Sequence, residues 1–218
     1  MVLAKNELLD YVSSGGLSFS PGLDGFQVQP HAVDLRLGFT FRLPKMWELN
    51  KEGRVAVAQD PTADRSDAFE EIELTPGQYF DILPKEFVLG TTLEEIGIET
   101  GKLMGVLYPR SSVNRRGLAI NMSGIIDAGY KGRLIIPLMN NTESQVIRVY
   151  PGERVCQVVF MELSSELSKA QAQQHGLTRA KYHAKEEVAS RGDRKDENAL
   201  IRSGRLEQLK KTFAVATN

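Results

Sequence analysis

The sequence predicts a mainly β protein, a distorted β-barrel or jelly-roll-like sandwich with an N-terminal helix and a C-terminal helical tail. Short strand-like stretches recur at close spacing, at 33–37, 39–43, 79–83, 87–92, 103–107, 118–121, 133–139, 145–149 and 155–163. Turn signals separate them, among them Pro76-Gly77, Asn140-Asn141 and Pro151-Gly152. Many short strands with such punctuation are typical of all-β barrels and sandwiches.

Two segments before the tail depart from the strand pattern. Residues 4–13 place Leu8, Leu9 and Val12 at helical spacing, and the Ser-Gly-Gly sequence of residues 14–16 ends the predicted helix. Residues 47–73 are polar and acid-rich, which predicts a long connection on the surface.

The pattern changes again after about residue 165. Apolar residues in the tail predict one face of a terminal helix, formed by Leu200, Ile201, Leu206, Leu209 and Phe213. We therefore divide the chain into a β domain over residues 1–194 and a helical tail over residues 195–218. The tail is expected to pack or to assemble with a partner rather than to catalyse.

Composition excludes several classes of function. The 218 residues carry 27 basic and 28 acidic side chains, so nothing indicates general affinity for nucleic acid or membranes. The single cysteine, Cys156, excludes an intramolecular disulfide, and its apolar neighbours predict a small core residue. Three histidines without metal-ligand spacing argue against a protein-caged zinc ion. With no signal peptide and no long apolar run, we expect a soluble, cytoplasmic protein.

A compact set of anion ligands begins at Arg110. Arginine binds phosphate oxygens bidentately, and the hydroxyls of Ser111 and Ser112 complete a cradle beside Arg115. The alternative is a solvated turn that happens to be basic. The glycine-rich P-loop pattern is absent from the sequence, so a P-loop nucleotide site is excluded.

Asp127 lies in the most informative stretch of the chain. Its carboxylate is a candidate to orient or deprotonate a water molecule, although an aspartate before Ala-Gly is also a common turn residue. A loop bounded by Asn121 and Gly124 offers room for a planar base, and the Asn121 amide matches the N3–H and O4 of uracil. Tyr130 is a candidate to lie against a deoxyribose, or it is simply a half-buried strand residue.

Two polar residues interrupt apolar strands. Asp34 lies within a strand with apolar neighbours and needs a partner, for which Arg36 and Arg110 are the candidates. Gln157 lies among valine, cysteine and phenylalanine. Both intrusions indicate a functional site.

These motifs together resemble the dUTPase/dCTP deaminase superfamily, from about residue 4 to residue 195. The resemblance rests on residues 32–37 (AVDLRL), 109–112 (PRSS), 124–132 (GIIDAGYKG) and 151–160 (PGERVCQVVF). It implies the dUTPase-like (β-clip) barrel for residues 1–194, a homotrimer with active sites shared between subunits, and a triphosphate chelated to Mg²⁺. No direct protein ligand to the metal is expected, because Mg²⁺ keeps several waters and takes substrate phosphates.

Two branches of the superfamily have to be separated. The deaminase branch resembles this chain at its start, in residues 16–21, and in the tail, at 180–182 and 188–191. Deaminases, however, carry a catalytic glutamate ten positions after the motif aspartate, where this chain has Pro137. Proline has no titratable group and cannot shuttle the proton that attack of water on cytosine requires.

The resemblance then implies a role for each site residue. Asp127 positions the attacking water, and Asp34 and Arg36 support the site. Phosphate ligands are expected from Arg110, Ser111, Ser112, Arg115, Gln157 and Lys181. Base and sugar contacts are expected from Asn121, Gly124, Ile126, Tyr130 and Tyr182. The glycine-rich arm of trimeric dUTPases is absent from the sequence, and the closing segment around Lys181 and Tyr182 has Lys185 where the deaminase-type tail has a glutamine.

The sequence therefore predicts a Mg²⁺-dependent dUTP diphosphatase that releases dUMP and pyrophosphate. The alternative is a dCTP deaminase or a bifunctional deaminase and pyrophosphatase that uses another acid. A third hypothesis, from a different class, is a nucleotide-binding regulator without catalysis.

Overall fold

The computed structural model describes residues 1–60, 68–120, 124–172, 174–175, 178–179 and 195–214. The helices are α1 (Lys5–Ser13), α2 (Ser111–Asn114), α3 (Lys169–Ala172), α4 (Lys195–Arg202) and α5 (Leu206–Thr212). The strands are β1 (Leu17–Ser20), β2 (Val33–Pro44), β3 (Trp47–Asn50), β4 (Gly53–Ala56), β5 (Phe69–Glu73), β6 (Phe80–Ile82), β7 (Phe87–Ile98), β8 (Leu103–Pro109), β9 (Leu118–Ile120), β10 (Ile125–Ile126), β11 (Lys131–Asn140), β12 (Ile147–Val149), β13 (Arg154–Glu162), β14 (Gln174–His175) and β15 (Thr178–Arg179).

One large antiparallel sheet organises the chain. Its strand order is β10-β8-β13-β2-β7-β11-β9, with β1 added to β7 and β5 added to β2. The long strand β2 belongs to both halves of the sheet: Leu35 pairs with Cys156 of β13, whereas Phe41 pairs with Gly90 of β7. The predicted mainly β, barrel-like class is confirmed, and each predicted strand segment overlaps an observed strand.

Alternating side chains of this sheet form the core. Phe41 and Phe160 are fully buried, and Phe160 meets Phe19 edge-on at 6.3 Å between ring centroids. Cys156 is also fully buried, which confirms its prediction as a core residue. Burial raises the pKa of the Cys156 thiol, so the neutral thiol is the favoured form.

Gly38 joins the two segments that the sequence predicts as separate strands. Both belong to β2, and the register between β2 and β7 shifts after Leu37. A β-carbon at position 38 would lie 2.8 Å from Thr91 Oγ1 and 2.9 Å from the carbonyl oxygen of Thr92. Glycine therefore permits the close approach of the two strands where β2 passes from one half of the sheet to the other.

Replacing Gly38 by alanine is expected to lower the free energy of unfolding by about 1–3 kcal/mol, because the added methyl group overpacks a contact with backbone. Urea denaturation measures the effect. Gly22→Ala is the matched control, since a β-carbon there meets no atom within 4 Å. Equal denaturation midpoints for the two variants would contradict the close approach.

The chain divides into two compact units, Met1–Lys45 with Phe69–Glu186, and Met46–Ala68 with Glu187–Asn218. The predicted division at residue 194 stays a prediction, because residues 180–194 lie outside the described residues. No helix within the described residues is long and apolar enough to span a membrane.

The second unit differs from its sequence-based prediction in two places. Part of the predicted surface connection at 47–73 is the hairpin of β3 and β4, in which the Arg54 guanidinium lies 4.9 Å from the Trp47 ring centroid. The predicted single terminal helix is two short helices, because Gly204 adopts a φ of +70° between α4 and α5.

The end of the same predicted connection is strand β5, in the first unit. It pairs with β2. Its sequence did not predict a strand, because three glutamates outnumber the apolar residues Phe69 and Ile72. Glu71 forms an ion pair with Arg42 of β2 at 2.8 Å.

Candidate active site

The arginine of the predicted anion set is held by a buried carboxylate. Asp34 of β2 is 1% exposed, and its Oδ2 lies 3.1 Å from Arg110 Nε and 3.1 Å from Arg154 Nη1. Arg110 Nη1 also donates to the carbonyl oxygen of Arg154 at 2.9 Å. The three side chains form one charge-assisted network that fixes the direction of the Arg110 guanidinium.

Strand register explains how these residues meet. Asp34, Gln157 and Tyr108 are directly opposite one another on β2, β13 and β8, so their side chains share one face of the sheet. A β-bulge lies between Arg154 and Cys156. Without this extra residue the side chain of Arg154 would point to the other face, and the bulge instead brings it to Asp34.

Of the two partners that the sequence offers for Asp34, only Arg110 contacts it. The guanidinium of the other candidate, Arg36, forms two hydrogen bonds with Asp24, at 2.7 and 3.1 Å, and donates to the carbonyl oxygen of Gly152 at 2.6 Å. Arg36 thereby ties the loop before β2 to the turn before β13. The second partner of Asp34 is Arg154, which lies in the motif of residues 151–160. The sequence predicts no role for it.

A second buried acid, Glu94, contacts β2 from the neighbouring strand β7, on the edge of β2 opposite to β13. Glu94 of β7 accepts hydrogen bonds from Gln27 Nε2 at 2.7 Å and from the backbone N–H of Arg36 at 3.0 Å. Gln27 Nε2 also donates to the carbonyl oxygen of Asp34 at 2.9 Å. Glu94 and Gln27 thus satisfy backbone groups of β2 beside Asp34. The sequence signal was available, because Glu94 is an acid in an apolar strand, as Asp34 is.

Burial shifts the titration of both acids. It raises the pKa of Asp34, which Arg110 and Arg154 oppose, and it raises the pKa of Glu94, which the N–H donors of Arg36 and Gln27 oppose. A folded-state pKa above the unfolded value means that the folded chain binds the proton more tightly. The resulting contribution to stability is full below the unfolded pKa and is lost as the pH rises through the folded one.

We expect this pH dependence to appear as a difference between the wild type and Glu94→Gln. Glutamine mimics the neutral acid, so the stability of the wild type relative to the variant should fall as the pH rises above the ordinary glutamate value of 4.5. Urea denaturation at a series of pH values from about 4 to about 7 measures it. A difference that stays constant or grows with pH would show that the pKa of Glu94 is not raised.

Among the described residues, the remaining phosphate candidates follow Arg110 in the chain or share the sheet row of Asp34. Ser111 and Ser112 begin the short helix α2 directly after Arg110, and both are exposed, as is Arg115. Gln157 is half-buried, in the same row as Asp34. The chain therefore presents exposed hydroxyl and guanidinium donors beside a fixed arginine, which is an arrangement suited to an anion.

Asp127 is exposed in a turn between β10 and β11. Its carbonyl oxygen accepts the Tyr130 N–H at 3.1 Å, and Gly129 supplies the positive φ of +79° that the turn needs. Tyr130 packs partly against the core and donates its hydroxyl to the Arg133 carbonyl oxygen at 2.9 Å. Ile126 is buried and pairs with Gly105, while Gly124 is held close to Leu107.

One chain does not bring Asp127 and Arg110 together. Asp127 follows Ile126, which pairs with Gly105 near the start of β8, whereas Arg110 follows the end of β8. The five residue steps from Gly105 to Arg110 span about 16 Å at about 3.3 Å per residue. The carboxylate and the anion set therefore lie at opposite ends of one strand.

Pro137 has an unusual place for a proline, in the interior of β11. It pairs with Leu89 of β7 and lies one position past the last β9–β11 pair, Leu138 with Ile120. The N–H of Asn140 donates to Glu86 beside β7, and that of Asn141 donates to Gly117 beside β9. Alternation along the strand puts the nitrogen of Pro137 on the β9 side, one position past the last described pair.

Three of the predicted site residues lie outside the described residues, namely Asn121, Lys181 and Tyr182. Their predicted roles in reading the base and closing over the triphosphate stay predictions. So do the phosphate, base and sugar contacts of the described residues. Across the described ranges, no group of three or more histidine, cysteine, aspartate or glutamate side chains could hold a metal ion.

Comparison with known proteins bears on the family. The sequence profile described as dCTP deaminase-like matches residues 2–163. The chain belongs to the dCTP deaminase-like family. A dCTP deaminase, dUMP-forming, from Dictyoglomus thermophilum is 35% identical over 186 residues, covering 84% of this chain and 90% of that protein. A protein of the same name from Aquifex aeolicus is 32% identical, covering 87% and 99% respectively.

A solved structure agrees with the fold of the dCTP deaminase-like family. The 2′-deoxycytidine 5′-triphosphate deaminase from Agrobacterium tumefaciens matches with a TM-score of 0.56 and 22% identity, covering 75% of this chain and 49% of that one. The predicted superfamily is thus confirmed. The names of the relatives favour the deaminase alternative over the primary hypothesis of dUTP hydrolysis.

Proposed function

We propose that this protein forms dUMP by hydrolysing the α–β phosphate bond of dUTP. The observation that carries the proposal is Pro137, which stands where the deaminase branch of the family is expected to have its glutamate, while Asp127 and the Arg110 network are retained. Hydrolysis at phosphorus needs a positioned water and anion ligands, but it needs no proton shuttle to a cytosine ring. Relatives named as dUMP-forming have the same product.

Each group has a part in this reaction. Asp127 accepts a proton from the attacking water, whose oxygen forms a bond to the α-phosphorus. The bond from that phosphorus to the bridging oxygen breaks, and pyrophosphate leaves. Negative charge builds up on the leaving pyrophosphate. Arg110, whose direction is fixed by Asp34, neutralises this charge.

The site suits a Mg²⁺ ion that binds through the phosphates of the substrate rather than through direct protein ligands. The buried oxygen of Asp34 is engaged by two guanidinium groups, and the surrounding side chains are cationic. Bound to phosphate oxygens, Mg²⁺ would supply additional charge neutralisation. Asp127 is exposed.

We infer that each active site takes residues from more than one copy of the chain. Strand register supports this inference: it sets the Asp127 turn and Arg110 toward opposite ends of β8, about 16 Å apart along the backbone, whereas the attacking water and the nearest phosphate ligands have to meet at one phosphorus atom. The homotrimer implied by the family resemblance would let Asp127 of one subunit face Arg110 of another. The site would then form only on assembly.

Deamination of dCTP is the second candidate, and the relatives' names favour it directly. It would need another acid in place of Pro137. Glu143, the next acid after it in the chain, forms an ion pair with Lys85 beyond the Asn140-Asn141 turn. The reaction would release ammonia, which dUTP hydrolysis does not.

Purified protein with Mg²⁺ and either dUTP or dCTP tests these alternatives, with products separated by ion-exchange chromatography and ammonia measured in parallel. Formation of dUMP from dUTP, with dCTP unchanged, would support the proposal. Ammonia with dUTP or dUMP formed from dCTP would establish deamination instead. Tight binding of either triphosphate without turnover would favour the nucleotide-binding regulator.

A further inference from the structure

The two-stranded sheet of β6 and β12 has one buried and one exposed face. Phe80, Ile82, Ile147 and Val149 point inward, and Phe80 stacks on Phe41 at 4.6 Å between ring centroids. Six residues form the opposite face, which we call the ladder face: Tyr79, Asp81, Leu83, Val146, Arg148 and Tyr150. Its apolar members are about half exposed, from 46% for each tyrosine to 53% for Leu83.

The ladder face consists of three cross-strand pairs. Asp81 is directly opposite Arg148 in the centre. One step away on one side lie Tyr79 and Tyr150, with ring centroids 5.9 Å apart, and the same register puts Leu83 opposite Val146 on the other side. An aromatic pair, an ion pair and an aliphatic pair therefore follow one another along the strands.

The central ion pair is ordered by its neighbours. Arg148 Nε and Nη2 donate to the two carboxylate oxygens of Asp81 at 2.8 and 2.9 Å. The guanidinium carbon also lies 3.5 Å from the Tyr79 ring centroid. The hydrogen bonds with Arg148 hold the pKa of Asp81 below its ordinary value, so both groups stay charged at neutral pH. Exposed tyrosine and arginine with reduced freedom are typical of protein interfaces.

We propose that the ladder face is a contact surface for a second copy of this chain. A two-fold axis parallel to the strands sets each residue opposite the copy of its cross-strand neighbour. Tyr79 then faces Tyr150, Leu83 faces Val146, and the Asp81 carboxylate faces the Arg148 guanidinium in both directions. The four charges alternate in sign around the centre, so the face is complementary to itself.

The charges select this arrangement among face-to-face pairings. A two-fold axis across the strands would set Asp81 against Asp81 and Arg148 against Arg148, which like-charge repulsion disfavours. The surface is small compared with stable interfaces, so we expect association in the micromolar range that adds to any other assembly of the chain. It does not involve the residues of the proposed active site.

Charge reversal combined with mixing tests the proposal by sedimentation velocity. Wild-type protein should show a step of increasing particle mass as its concentration rises, beyond the mass of any assembly present at low concentration. Asp81→Arg alone and Arg148→Asp alone should each lose this step by at least about tenfold in affinity, because like charges meet across the axis. An equimolar mixture of the two variants should recover it, because the arginines of one meet the aspartates of the other.

Glu166→Arg is the control, since it reverses one member of the exposed Lys102–Glu166 ion pair outside the ladder face. It should associate as the wild type does, and circular dichroism checks that each variant folds. A wild type that keeps one mass at all concentrations would overturn the proposal. So would single variants that associate normally, or a mixture that fails to recover the step.

Discussion

The Asp127→Asn variant is expected to fold and to bind dUTP as the wild type does, while kcat falls by about 10²–10⁴-fold. Asparagine keeps the size of the side chain and its hydrogen bonds to water, but it cannot accept the proton from the attacking water. Because Asp127 is exposed in a turn, the substitution leaves the core unchanged. Steady-state kinetics gives kcat, and calorimetric titration with a non-hydrolysable dUTP analogue gives the affinity.

Asp10→Asn is the matched control for this variant, because Asp10 is also an exposed aspartate and lies on α1, outside the proposed site. It should retain wild-type kcat. A small effect of Asp127→Asn, within about threefold of the control, would rule out Asp127 as the base. An equal loss of affinity and kcat would assign Asp127 to binding rather than to proton transfer.

Asp34→Ala is expected to have the largest effect on stability, a loss of about 2–4 kcal/mol, because it removes a buried hydrogen-bond acceptor together with the charge. It leaves Arg110 and Arg154 charged without their shared counter-ion. The loss should fall short of that for a fully buried ion pair, because both guanidinium groups keep about a quarter of their side-chain surface exposed, 25% and 27%. Thermal and urea denaturation measure it.

The same substitution should also weaken triphosphate binding in molecules that are fully folded. Without Asp34 the Arg110 guanidinium is no longer fixed, so KM for dUTP should rise by at least about tenfold at a temperature where the variant is fully folded. Asp34→Glu tests the charge separately from the geometry. If Asp34→Ala kept a wild-type KM, Asp34 would serve stability alone.

The sequence predicts the strands well because their apolar alternation and turn residues are local signals. It also indicates that Asp34 needs a counter-charge and offers Arg36 and Arg110 as the candidates, without deciding between them. It does not reveal Arg154, whose position depends on a bulge in β13 that shifts one strand against another. Glu94 follows the same logic as Asp34 and could have been found from sequence.

The sequence does not predict the distances between the site residues. Asp127 and Arg110 are close in sequence and belong to motifs that follow one another, yet the pairing of β10 with the start of β8 separates them. Strand register is a long-range property, so spacing in the sequence does not report it. In the tail, the apolar pattern suits a single helix, but Gly204 interrupts it with a positive φ.

Pro137 makes the backbone part of any attempt to restore the acid. A chain with glutamate at this position and a chain with proline differ in two ways, since proline lacks both the carboxyl group and the backbone N–H. Return to glutamate would therefore add a donor on the β9 side of β11 together with the acid. Pro137→Gln, which restores the N–H without the acid, would separate the two changes.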